Sequence, residues 1–136
     1  MEQHETTFLS VMICENGLDF LHSLKQALVS DYYSVLTIDS GTECLIKYID
    51  EKVKGNQIDL LVVDYELQDL PGDIVASTIR ELSGSRARAT NTILISSSEL
   101  DKELIEELKR KDYIVEGLKK PISIDSLMKI IETVIA

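Results

Sequence analysis

The segment from Ile58 to Gly72, IDLLVVDYELQDLPG, puts five apolar residues in the six positions before Asp64 and then turns through Leu70-Pro71-Gly72. So little polarity leaves no solvated face, and the run reads as a strand buried on both sides, the habit of parallel sheets covered by helices. Its last residue, Asp64, then emerges at the edge of that sheet. Parallel strands need long crossover connections, which predicts helices on either side of this strand in the chain.

The flanking sequence supplies them. Phe8 to Cys14 (FLSVMIC) reads as a first strand, and Gly17 to Ser30 repeats Leu18, Leu21, Leu24, Ala27 and Leu28 at the spacing of one helical face. Tyr33 to Ile38 is β-branched and aromatic. Ser40-Gly41-Thr42 then opens a helix carrying Leu45, Ile46 and Ile49, with Gly55-Asn56 as its stop. After Asp64, the residues Ile74, Ile79 and Leu82 mark a third helix, and Ser83 to Thr90 reads as a solvent-exposed loop. Thr92 to Ile95 is a fourth strand that runs into Ser96-Ser97-Ser98. A helix from about Glu99 to Lys111 follows, with Leu100, Leu104, Ile105 and Leu108 inward. Tyr113 to Leu118 is a fifth strand, Lys119-Lys120-Pro121 a turn, and Ser123 to Ile135 a last helix with Ile124, Leu127, Ile130, Ile131 and Val134. Five β-α units predict an α/β fold: a doubly wound five-stranded parallel sheet with right-handed crossovers and helices on both faces. Residues 1–7 read as an N-terminal extension and 8–136 as one domain.

A chain of 136 residues with 44% hydrophobic content suits one core of ordinary size. Against 14 basic residues stand 24 acidic ones, a formal charge of -10, which argues against docking on nucleic-acid phosphates. It suits solubility, a bound cation or a basic protein partner. No apolar run reaches membrane-spanning length, and the start MEQHETT lacks the pattern of a signal peptide, so a cytoplasmic protein without membrane contact is expected. Cys14 and Cys44 form no CxxC pair, and with only His4 and His22 beside them a transition-metal cage is not expected. Each cysteine reads as a small buried hydrophobe.

In open parallel sheets, ligands bind outside the carboxyl ends of the strands. Those ends carry Cys14-Glu15-Asn16, Asp64, Ser96-Ser97 and Lys120-Pro121. Two close carboxylates such as Glu15 and Asp64 repel unless a cation joins them, and hard oxygen ligands suit Mg²⁺ with water in its remaining positions. A carboxylate can attack a phosphoryl group when the charge on the phosphoryl oxygens is neutralised. The Lys120 ammonium and the Ser96 hydroxyl are suitable donors for that purpose. Taken singly, Asp64 reads equally well as a cap, Ser96 as a residue bonding its own turn, and Lys120 as a solvated lysine. Their convergence on one rim is what points to an acyl-phosphate acceptor.

With these residues in this order, the chain resembles the receiver domain of two-component response regulators over nearly its whole length. The matching motifs are Cys14-Glu15-Asn16, Asp64 in VVDYELQDLPG, Ser96 in ILISSS and Lys120-Pro121 in LKKPIS. The resemblance implies the flavodoxin-like strand order 2-1-3-4-5. It further implies that Asp64 accepts phosphate from a histidine kinase or histidine phosphotransfer protein, and that Mg²⁺ is bound by Glu15, Asp64 and the main-chain carbonyl of Glu66. It implies a cis Lys120-Pro121 bond, self-catalysed phosphorylation and dephosphorylation, and a switched face for a downstream partner or fused output domain. Since the last helix ends the chain, either a stand-alone receiver or a piece of a larger regulator is expected.

The sequence departs from the family pattern in three places. Cys14 replaces an acid that helps hold the metal's water shell, which weakens that position. Glu15 is one methylene longer than the usual Asp. Gly117 stands where an aromatic residue commonly switches, three positions before Lys120. Glu66 and Ser98 fill the two variable positions that influence access to the acyl phosphate, and Lys102, Lys109 and Arg110 mark a recognition face on the fourth helix. A degenerate receiver acting as a phosphate-independent interaction module is the alternative. A distant third is a toprim-like metal-dependent nucleic-acid enzyme, echoed by Glu15-Asn16-Gly17 and Asp64-Tyr65-Glu66, which leaves Ser96 and Lys120-Pro121 without a role.

Overall fold

The computed structural model describes residues 8–84 and 89–135. The N-terminal extension with His4, part of the 83–90 loop and Ala136 lie outside the described residues. Ten elements alternate: β1 (Ser10–Cys14), α1 (Leu18–Ser30), β2 (Ser34–Ile38), α2 (Gly41–Val53), β3 (Leu60–Asp64), α3 (Gly72–Ser83), β4 (Asn91–Ser96), α4 (Lys102–Arg110), β5 (Glu116–Lys119) and α5 (Ile124–Ile135). All pairings are parallel, and the strand order is β2-β1-β3-β4-β5.

Side chains alternate across each strand, so the two faces of the sheet bury different residues. On one face Val11, Ile13, Leu60, Val62, Ile93 and Ile95 pack with Leu21, Leu24 and Leu28 of α1 and Leu127 and Ile131 of α5. On the other, Met12, Cys14, Leu61, Val63 and Leu94 meet Cys44 and Tyr48 of α2, Val75, Ala76 and Ile79 of α3, and Leu108 of α4. β3 is buried at every position, as its unbroken apolar run requires. Ile46, Ile49 and Ile74 belong to their helices but face solvent.

Several boundaries differ from the sequence reading, each for a local reason. β1 starts at Ser10, where its register with β2 begins, and Phe8 and Leu9 are exposed. β3 starts at Leu60 because the Asp59 carboxylate accepts the Ser10 N–H at 2.8 Å. α4 starts at Lys102, after Asp101 caps it by accepting from the Glu103 N–H at 3.2 Å. β5 is shorter than expected. Asp112 takes a left-handed φ of 67° and the Tyr113 N–H returns to the Leu108 carbonyl at 2.9 Å, so Tyr113 and Ile114 reach the core from a loop.

The 83–90 segment is a correction of another kind. Its described ends are not solvated: Ser83 and Thr90 are buried, the first as the last residue of α3. The Tyr48 hydroxyl lies 2.8 Å from Ser83 Oγ and 3.1 Å from Thr90 Oγ1, and Thr90 Oγ1 donates to the Ile58 carbonyl at 2.7 Å. Polar composition predicts exposure, but a buried tyrosine on α2 offers these hydroxyls partners inside.

Gly72 ties α3 to the rim of the sheet. A Cβ there would lie 2.3 Å from the Asp64 carbonyl oxygen and 2.8 Å from Tyr65 Cα, so only glycine permits this approach. Gly72→Ala is expected to lower stability by about 1–3 kcal/mol, the usual cost of overpacking. A lower urea midpoint at unchanged slope is the checking measurement.

Candidate functional site

The sheet register assembles the site. Cys14 pairs with Val63, so Glu15 and Asp64 come next on adjacent strands. Asp64 pairs with Ile95 and Ser96 with Lys119, which brings Ser96 and Lys120 to the same rim. The Lys120 N–H donates to the Ser96 carbonyl at 2.7 Å and fixes the β5–α5 turn there. The Lys120-Pro121 bond is cis.

By strand parity Glu15, Asp64 and Lys120 share the α1/α5 face. Lys120 Nζ donates to both Glu15 oxygens, at 2.9 and 3.0 Å, and to Asp64 Oδ2 at 3.2 Å. It also lies 4.9 Å from the centre of the Phe20 ring on α1, a cation–π contact. Asp64 Oδ1 accepts the Glu66 N–H at 2.9 Å, and Glu15 Oε2 accepts the Gly17 N–H at 2.8 Å.

Glu15 is 2% and Asp64 5% exposed, so one ammonium serves two buried carboxylates. Burial pushes the Asp64 carboxyl up to about 6; the Glu66 N–H opposes this, the Glu15 charge adds to it, and Lys120 lowers it again. Burial alone would lower the Lys120 ammonium, but its bonds and attraction to Glu15, then to Asp64, carry it above the ordinary lysine range.

The same parity sends Cys14 to the opposite face. Its thiol donates to the Ser40 carbonyl at 3.3 Å inside the core, away from the carboxylate pair. The neighbouring Cys44 thiol, then burial, push the Cys14 thiol far above the ordinary cysteine range. Among the described residues no three His, Cys, Asp or Glu side chains gather as a metal cluster. Glu15 and Asp64 bring together two buried carboxylates, hard oxygens whose charge Lys120 opposes. Those properties fit Mg²⁺.

Glu66 lies within hydrogen-bond reach of the Asp64 carboxyl, yet most of its partners are elsewhere. Its carboxylate turns to the Ser96–Ser98 turn. Ser96 Oγ donates to Glu66 Oε2 at 2.5 Å, and the Ser97 N–H and Ser97 Oγ donate to Oε1 at 2.9 and 3.2 Å. The Ser98 N–H reaches Oε2 at 3.3 Å and also Ser96 Oγ at 3.0 Å. Burial would raise the Glu66 carboxyl, but the bonds from Ser96 and Ser97 bring it down to about 2.

Comparison with known proteins decides the family. Residues 11–132 match the response regulator receiver domain. The chain belongs to that family. Among solved structures it is similar to a CheY-like response regulator receiver domain from Methanospirillum hungatei JF-1, with 21% identity, 94% of each chain covered and a TM-score of 0.75. It is also similar to the chemotaxis response regulator CheY4 of Vibrio cholerae, with 20% identity, 94% of this chain and 99% of that one covered, and a TM-score of 0.75. The non-phosphorylated HemR receiver domain from Leptospira biflexa is comparable, at 20% identity, 94% of each chain and a TM-score of 0.74. No curated protein matches the chain.

Three features of this receiver were not apparent in the sequence. Ile105 of α4 fills the space beside Gly117: a Cβ on Gly117 would lie 2.6 Å from Ile105 Cδ1. A cavity of about 110 Å³ lies beside it, lined by Ser96, Ser98, Glu99, Leu100, Ile105, Gly117, Leu118 and Lys119. Asp69 accepts the Gly41 and Thr42 N–H groups at 2.9 and 2.7 Å, so the loop after β3 caps α2. Hydrogen bonds from Thr42 and then Gly41 hold the Asp69 carboxyl well below the usual range. The third is the seat of the Glu66 carboxylate. Pairing of a glycine with a large residue on the adjacent inward stripe was the readable trace of the first; loop-mediated contacts leave no trace in periodicity.

A carboxyl raised on folding makes the unfolded chain bind fewer protons between about pH 4 and pH 6, so the stabilisation by protonated Asp64 is present below pH 4 and lost as pH rises through 6. Asp64→Asn removes that penalty. Its urea midpoint is expected to exceed that of the unmodified chain at pH 8, by roughly 1–3 kcal/mol of stability, and to converge on it near pH 4.

Proposed function

We propose that this receiver accepts a phosphoryl group on Asp64 from the phosphohistidine of a histidine kinase or phosphotransfer protein, and that the change is read by a partner at the α4 and β5 side. The observation that carries this reading is the Lys120 ammonium held between Glu15 and Asp64 at the open rim of the sheet. In the transfer, the donor's P–N bond breaks while a P–O bond forms to Asp64, and the departing imidazole takes up a proton. Asp64 must be ionised to attack, and a carboxyl near 6 is so at neutral pH. Lys120 then offers its charge to the phosphoryl oxygens, and Ser96 with the Ser97 N–H offers hydrogen bonds from the other side.

Glu15, Asp64 and the Glu66 main-chain carbonyl would hold Mg²⁺, which when bound supplies positive charge against the phosphoryl oxygens. Glu15 would share its charge between that cation and Lys120, whose ammonium also reaches Asp64.

A phosphate-independent interaction module is the second reading. It is favoured by Cys14, whose thiol belongs to the core and leaves the rim one acid short. That no helix among the described residues is long and apolar enough to cross a membrane agrees with either.

With Mg²⁺ and acetyl phosphate, the chain is expected to gain the mass of one phosphoryl group. Asp64→Asn and chelation of the metal each abolish the gain. Intact-mass spectrometry reads it, and an unlabelled chain beside a labelled control receiver decides for the second reading.

A further inference from the structure

We infer that the outward face of α2 is a homodimer interface, on which a second copy of this chain packs antiparallel about a twofold axis. The inference stands apart from the phosphoacceptor reading of Asp64. α2 packs on β2 and α3, and β2 is the edge strand at the far end of the sheet from β5.

Along that face runs an apolar row with no neighbour. Ile46, Ile49 and Val53 are 55%, 46% and 82% exposed. Their spacing of three and then four residues aligns them on one side of the helix, away from the buried Cys44 and Tyr48. The exposed apolar residues of α1 make no such row, since Leu18 and Val29 stand at opposite ends of that helix with His22 and Lys25 between them. Single exposed aliphatics are ordinary on a protein surface; a continuous row marks a contact.

The charges beside the row name the occupant. Glu43, Lys47, Asp50 and Lys54 follow its flank at helical spacing, in the order acid, base, acid, base. Read from the other end, the order is base, acid, base, acid. A second copy laid antiparallel therefore sets Glu43 against Lys54 and Lys47 against Asp50 on both sides of the axis, whereas a parallel copy sets like against like. In the single chain these groups pair within the helix, Lys47 with Asp50 at 3.8 Å and Lys54 with Asp50 at 3.0 Å. Such exposed pairs contribute little, so exchanging them across an interface costs little. From Gly41 to Lys54 the three acids Glu43, Asp50 and Glu51 stand against the three bases Lys47, Lys52 and Lys54, in a chain whose formal charge is -10. A copy approaching along α2 meets no excess of its own charge. One helix face is smaller than the roughly 800 Å² per partner of a standard interface, so the dimer is weak and forms at raised concentration.

Sedimentation equilibrium over rising concentration tests this, with the unmodified chain beside Val53→Glu, Ile49→Glu, Glu43→Lys, Lys54→Glu and the double variant Glu43→Lys with Lys54→Glu. Urea midpoints establish that each is folded, and Val53 is exposed enough to accept a charge without disturbing the core. The unmodified chain is expected to pass from monomer to dimer below about 1 mM, and Val53→Glu and Ile49→Glu to stay monomeric over that range. Glu43→Lys and Lys54→Glu each place like charges across the axis twice and are expected to weaken the dimer by about tenfold, while the double variant exchanges the partners and regains the original affinity. An unmodified chain that remains monomeric to about 1 mM overturns the inference and leaves the row to a different protein. A dimer undiminished in both Val53→Glu and Ile49→Glu overturns it in favour of another face. A double variant as weak as its parents overturns it as well, since the copies then do not lie antiparallel.

Discussion

One ammonium group shared by two buried carboxylates is the constraint around which the rim of this sheet is arranged. The parallel register forces Glu15 and Asp64 onto neighbouring strand ends, and burial denies them the water that would screen their repulsion. Lys120 answers that repulsion from β5, two strands away from Asp64 in the sheet. Removing the ammonium from such a buried set typically costs about 3–5 kcal/mol, because the carboxylates are left without compensation. The anchoring of the Lys120 turn on the Ser96 carbonyl and the contact of its ammonium with the Phe20 ring are therefore parts of one electrostatic arrangement.

The two faces of the sheet divide the labour at that rim. Glu15, Asp64 and Lys120 belong to the α1/α5 side and carry the charge. Ser96 belongs to the α3/α4 side and carries hydrogen-bond donors. The loop after β3 joins both halves: the Glu66 N–H rests on Asp64 while its carboxylate rests on the serine turn. That turn runs through Leu100 into α4, whose Ile105 packs against Gly117 of β5. A large residue on the helix thus supplies the bulk that the strand lacks, and Ser96, Ile105 and Gly117 border the same cavity.

Much of this was legible before any coordinates. Five apolar runs at crossover spacing allow few arrangements other than a doubly wound sheet, and the strand ends then name Glu15, Asp64, Ser96 and Lys120 as neighbours. What could not be read was where polar side chains find their partners. Ser83 and Thr90 looked like loop residues because nothing in their own neighbourhood announces Tyr48, 35 and 42 residues away. Glu66 looked like a flanking residue of the site. Its reach to a turn 30 residues on depends on how two loops meet above the sheet.

The sequence by itself determined the architecture and the identity of the charged residues at the rim, since periodicity and parity act locally and repeat along the chain. Tertiary structure alone decided which side chain holds which. It set Ile105 against Gly117 and placed the Glu66 carboxylate on the donors of the serine turn. Hydrogen bonds and close packing are satisfied by whatever lies within about 3–4 Å, and that distance is measured through space, not along the chain.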